Sequence, residues 1–83
     1  MKLNLKIRLF GSVKDEVGTE IYEIKAPEGS TVRDLENLLR RELPGLWSGR
    51  SQLFIAVNQN YSKPDDMVSE TDEIALFPMV NGG

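Results

Sequence analysis

Residues 2–9 run Lys2-Leu3-Asn4-Leu5-Lys6-Ile7-Arg8-Leu9, a polar and an apolar residue in strict turn. Side chains on an extended chain point alternately to two faces, so the stretch predicts a strand. Leu3, Leu5, Ile7 and Leu9 face a core, and Lys2, Asn4, Lys6 and Arg8 face water. A strand of this kind needs a cover for its apolar side, and the sequence supplies one at Thr31 to Leu43. Thr31 and Asp34 make a Thr-x-x-Asp helix start, and Val32, Leu35, Leu38, Leu39 and Leu43 recur at helical spacing. Pro44-Gly45 stops that helix, because proline cannot continue the hydrogen-bond ladder and glycine supplies the freedom for a terminal turn.

Outward from these two elements the pattern is strand-like. Gly11 breaks the first strand, Val13 and Val17 share one side of a single helical turn, and Gly18-Thr19 turns the chain. Glu20 to Ala26 predicts a second strand with Tyr22, Ile24 and Ala26 buried, ended by Pro27-Glu28-Gly29. Leu53 to Val57 is apolar throughout, which suits a strand buried on both faces or covered by a partner, and its periodicity does not say which side chains point where. Asn58-Gln59-Asn60 reads as a turn, a short strand near Tyr61 is possible, and Ile74 to Phe77 closes the set at Pro78. The expected fold class is α+β, a ubiquitin-like β-grasp in which a mixed sheet of four to five strands packs on one main helix. The helix stripe of Val32, Leu35, Leu38 and Leu39 should lie on the sheet. One domain spanning 1–83 is expected, with 78–83 an extended flexible tail.

Composition removes most catalytic chemistry. The 83 residues include neither cysteine nor histidine, which excludes thiolate nucleophiles, disulfides, zinc sites built on those ligands and imidazole acid–base catalysis. With 13 acidic against 10 basic side chains the net charge is -3, the wrong sign for a phosphate-binding surface, so no nucleic acid partner is expected. The alternating N-terminus contains neither a signal-peptide core nor a membrane span, so no membrane association is expected, and the cytoplasm is the expected location. A chain this short buries only roughly 60 to 65% of its unfolded surface, which argues against a deep cleft.

Two features remain. With Ile74 and Leu76 in the core, Phe77 turns outward, and Phe10 is likewise out of step with Leu5, Ile7 and Leu9. Two phenylalanines on the wet faces of neighbouring strands make a docking surface; the alternative is that the strand ends bend and fold both rings into the core edge. The second feature is the terminal Gly82-Gly83, which chance gives at roughly 0.5%. A terminus without side chains can thread a narrow channel and present its α-carboxylate to another protein's active site; the alternative is a frayed end. Asp65-Asp66 and Asp72-Glu73 read as solvated turn charges, Trp47 as a cover for the helix end, and Arg40-Arg41 as a favourable pair at the helix C-terminus.

Nearly the whole chain resembles the sulfur-carrier small subunits of molybdopterin synthase, within the wider ubiquitin-like sulfur carriers. The resemblance rests on Leu9-Phe10-Gly11 with Val13 and Val17-Gly18, Thr31-Val32 with Asp34-Leu35, and Ala56-Val57-Asn58-Gln59. Its most specific element is Asp72-Glu73-Ile74-Ala75-Leu76-Phe77-Pro78 leading to Gly82-Gly83. Two positions depart from the family pattern: Met79 replaces a second proline, and Thr71 stands where glycine is common. A non-glycine forced into a left-handed turn there would cost roughly 1 to 2 kcal/mol.

The resemblance implies a carrier rather than a catalyst. An ATP- and magnesium-dependent, ubiquitin-activating-like adenylating enzyme would adenylate Gly83, and a sulfur donor protein would convert the adenylate to a thiocarboxylate. The tail would then enter the large catalytic subunit of molybdopterin synthase and give sulfur to a pterin precursor. Gly83 would be the donor, Gly82 would permit the approach, Pro78 and Val80 would aim and anchor the tail, and Phe10 with Phe77 would dock. No cofactor would be bound by the chain itself. A carrier for another pathway such as thiamine thiazole, a ubiquitin-like modifier and an inert-tail interaction module are the rival readings.

Overall fold

The computed structural model describes residues 1–48 and 53–78. Its elements are β1 (Lys2–Leu9), α1 (Gly11–Val17), β2 (Ile21–Pro27), α2 (Val32–Glu42), a 3-10 turn at Pro44–Leu46, β3 (Leu53–Val57), β4 (Asn60–Tyr61) and β5 (Ile74–Pro78). One sheet has the order β2-β1-β5-β3-β4. β1 runs antiparallel to β2 and parallel to β5, with Ile7 opposite Ile74, and β3 runs antiparallel to both β5 and β4. A mixed sheet packed on one principal helix, with the last strand in the middle, is the ubiquitin-like β-grasp.

The alternation in β1 is realised as expected: Leu5, Ile7 and Leu9 are buried while Asn4, Lys6 and Arg8 are not. They meet Leu35 and Leu39 of α2, Val13 of α1, and Ile74 and Leu76 of β5 in the core. Each fully buried aliphatic side chain contributes roughly 1.5–3 kcal/mol by leaving water. Leu38, expected in the same stripe, is only half-buried: it packs against the core but also lines a surface concavity with Pro27, Gly29, Asn37 and Arg41. Tyr22 is half-buried too, with its hydroxyl donating to Glu42 Oε1 at 2.6 Å. That hydrogen bond, then burial, raises the phenol above its ordinary value.

The start of α2 shows why this segment is helical. Asp34 N–H donates to Thr31 Oγ1 at 3.3 Å, and Asp34 Oδ2 accepts from Thr31 N–H at 3.0 Å. The two preceding free amides are satisfied by the 64–66 loop, Val32 N–H to the Asp66 carbonyl at 2.8 Å and Arg33 N–H to that of Pro64 at 3.0 Å. At the other end, Arg40 pairs with Glu36 and lies 4.8 Å over the Trp47 ring, so the indole does cover the helix terminus.

Four boundaries depart from the sequence reading. β2 starts at Ile21 and includes Pro27, and Asn60 belongs to β4, which leaves Asn58-Gln59 as a two-residue hairpin loop. Both loop residues have positive φ, 54° and 69°, the geometry that matches hairpin twist. Asn58 suits it, and its side chain also ties β3 to the approach to β5 through Asp72 Oδ1 and the Glu73 N–H. Gln59 does not. We expect Gln59→Gly to stabilise the fold by about 1 kcal/mol, a rise of roughly 4–8 °C in Tm, readable by thermal circular dichroism. Thr71 carries no such strain, since it is outside the left-handed region and the turn is closed instead by Ser69 and Asp72. Pro78, expected to open the tail, is the last residue of β5 and faces Leu53.

Candidate functional site

The sheet has two faces, and the one turned away from α2 is unusual at its β5-β3-β4 end. Opposite parity to the buried Leu53 and Ile55 places Phe54 and Ala56 on this outer face; opposite parity to Ile74 and Leu76 places Ala75 and Phe77 there. Cross-strand register then pairs Phe54 with Phe77 and Ala56 with both Ala75 and Tyr61. Ring centroids lie 5.8 Å apart for Phe54–Tyr61 and for Phe54–Phe77, and 6.2 Å apart for Tyr61–Phe77.

Two alanines side by side leave a depression that the aromatic rings surround. Phe10, Ala56, Gln59, Tyr61, Ala75 and Phe77 line a shallow concavity of about 480 Å³. Tyr61 is 75% and Phe10 47% exposed, so large apolar surface faces water. Phe77 is half-buried rather than fully outward as expected, because Phe54 and Tyr61 shield its ring. Neither Phe10 nor Phe77 is folded into the core cluster. Beside the concavity the outer positions of β1 are polar: Arg8, in register with Ala75, pairs with Glu73 at 3.3 Å, and Lys6, Asn4 and Lys2 continue the row.

The chain leaves this surface at a fixed point. Phe10 N–H donates to the Leu76 carbonyl at 3.2 Å, and Pro78 lies against Gly11. A Cβ on Gly11 would stand 3.5 Å from Pro78 Cγ, an ordinary contact, so it is the backbone φ of +60°, in the left-handed region, that favours glycine there. Pro78 is therefore held by β3 on one side and the β1–α1 corner on the other. Val80, Gly82 and Gly83, and Met79 with them, lie outside the described residues. Of the sequence-derived site residues, Phe10, Phe77 and Pro78 are brought together at one end of the sheet.

Phe54, Ala56, Tyr61 and Ala75 escaped the sequence reading. The signal for Phe54 and Ala56 was the unbroken apolar run at 53–57, since a strand with water on one face has no need of them there; Tyr61 and Ala75 had none. The contact of Gly11 with Pro78, 67 positions later, also escaped.

The sequence profile of the ThiS family matches residues 7–83. A molybdopterin synthase sulfur carrier subunit of Dictyostelium discoideum is 36% identical over 86 residues, covering all of both chains. One of Arabidopsis thaliana is 30% identical over 81 residues, 98% of this chain and 84% of the relative. Among solved structures, a chain from the complex of subunits 1 and 2 of molybdopterin-converting factor of Helicobacter pylori superposes with a TM-score of 0.67 at 28% identity, over the full length of both.

Proposed function

The chain belongs to the ThiS family, and from that premise we propose that it is the sulfur-carrying small subunit of a molybdopterin synthase, bearing its sulfur on Gly83. The observation that supports this reading best is the junction at Pro78. An exposed aromatic concavity and the rigidly held root of the C-terminal segment share one end of one sheet. A partner seated on the aromatic rings would receive the segment that follows Pro78 without any rearrangement of the domain, which is what delivery of a terminal group requires.

The chemistry then runs outside this chain's own side chains. A carboxylate is a poor electrophile until it carries a good leaving group, so on an adenylating enzyme the Gly83 carboxylate attacks the α-phosphorus of magnesium-bound ATP and expels pyrophosphate, giving the acyl-adenylate. Hydrosulfide supplied by a sulfur donor protein attacks that carbon, the bond to AMP breaks and AMP departs, and after loss of a proton a thiocarboxylate remains. The partner on the concavity is a large subunit of the kind found in the Helicobacter pylori complex, and it supplies the acid–base groups for transfer to a pterin precursor. Phe10, Phe77 and Pro78 position the carrier, and Val80 and Gly82 guide its end. The chain alone turns nothing over, and the cytoplasm is where these partners meet it.

The test is intact mass after incubation with ATP, magnesium, an adenylating enzyme of this family and a sulfur source. We expect a gain equal to sulfur replacing one oxygen, absent from a chain lacking Gly83. No gain, with the enzyme competent on an established carrier, would overturn the reading in favour of a modifier or an inert-tail module.

A further inference from the structure

We propose that the free edge of β2 pairs with the same edge of a second copy of this chain, forming a two-fold dimer through a continuous sheet. β2 is the outermost strand on its side. Leu9 N–H donates to the Glu20 carbonyl at 2.8 Å and Glu28 N–H to that of Met1 at 3.1 Å, which fixes the alternation: even-numbered residues of β2 bond β1, and Ile21, Glu23 and Lys25 turn their backbone groups outward. The ends of this edge are already closed. The Thr19 hydroxyl engages both the amide and the carbonyl of Ile21, while Pro27 has no N–H and its carbonyl accepts from Ser30 N–H and Oγ. Among the described residues, what stays open is two N–H and two C=O groups, those of Glu23 and Lys25.

The side chains along this edge read the same in both directions. An antiparallel pairing about Ile24 sets Glu23 opposite the partner's Lys25 and Lys25 opposite the partner's Glu23, with Ile21 opposite the partner's Pro27 at each end. Every cross-strand pair on the outer face is then favourable, acid with base or apolar with apolar. The 44% exposure of Ile21, otherwise a bare isoleucine at a sheet margin, is accounted for as well. Charges on an edge strand ordinarily prevent pairing. Here they select one register: a slip of two residues in either direction opposes Glu23 to the partner's Glu23 or Lys25 to the partner's Lys25.

Four backbone hydrogen bonds, two ion pairs and two small apolar contacts make a weak interface, with a dissociation constant on the order of 0.1–1 mM. The aromatic concavity and Pro78 lie on other strands and stay open, so the dimer does not depend on the functional reading and does not compete with it.

Sedimentation equilibrium of the full chain, with amide shifts followed by NMR against concentration, tests this. The expected result is reversible dimerisation with the largest shifts at Glu23 and Lys25. Glu23→Lys and Lys25→Glu, both at exposed positions, should each weaken it about tenfold or more, and the double exchange Glu23→Lys/Lys25→Glu should restore it. A monomer up to about 5 mM would overturn the proposal. So would a dimer indifferent to the single reversals, or one lost in Tyr61→Ser and unaffected by them.

Discussion

Gly82→Val is expected to give a protein that folds normally, is converted to its thiocarboxylate, and transfers sulfur at least about 100-fold more slowly than the native chain. The described strands, helices and core are built from residues 2–78, so circular dichroism and Tm should match the unaltered protein. The loss arises in the partner's channel, where a β-branched side chain adds width and removes the backbone angles open to glycine. Single-turnover conversion of a pterin precursor, started with carrier of verified mass, isolates the transfer step. Native-like conversion by that charged variant would remove the idea of a narrow channel and leave Gly82 without a role.

The second large effect is at the aromatic concavity. Phe77→Ser removes the ring shared by Phe54 and Tyr61 and should raise the dissociation constant for the large subunit by about 100-fold. Buried aromatic anchors at the centre of an interface carry most of its energy, and this ring is central among the apolar side chains that surround Ala56 and Ala75. Because Phe77 is half-buried, part of its loss falls on stability; Tyr61→Ser, at a residue 75% exposed, separates the two. It should weaken binding in the same direction with little change in Tm. Calorimetric titration against the large subunit reads both, and unchanged affinity in both variants would move the docking surface elsewhere.

The sequence was most informative where polar residues punctuate apolar ones. β1 could be read to the residue because each lysine, asparagine or arginine marks a wet side, and α2 because Thr31 and Asp34 announce its start and Pro44 its end. The sites that escaped lack that punctuation. In Leu53 to Val57 the two faces have equal claim on the core, and only the register with β5 decides that Phe54 and Ala56 look outward. Parity alone placed Phe77 on the outer face, but its half-buried state comes from Phe54 and from Tyr61, a residue on a strand of two. Gly11 reads as a strand stop, which its φ of +60° bears out, but its neighbour Pro78 is far along the chain. Local chemistry is visible in a string of letters; juxtaposition across 67 positions is not.

β5, the last strand made, occupies the middle of the sheet, between the first strand and the third. Until it arrives, β1 and β3 have no neighbour to join them, and the core lacks Ile74 and Leu76, both fully buried. During synthesis the domain cannot close early: a ribosome must release the chain through Pro78 before the long-range pairing that defines the fold can form. A nascent chain interrupted before Ile74 stays open and exposed to proteases. Acquisition of the native state thus selects for length: any molecule that reaches it has already been built through the central strand, to Pro78.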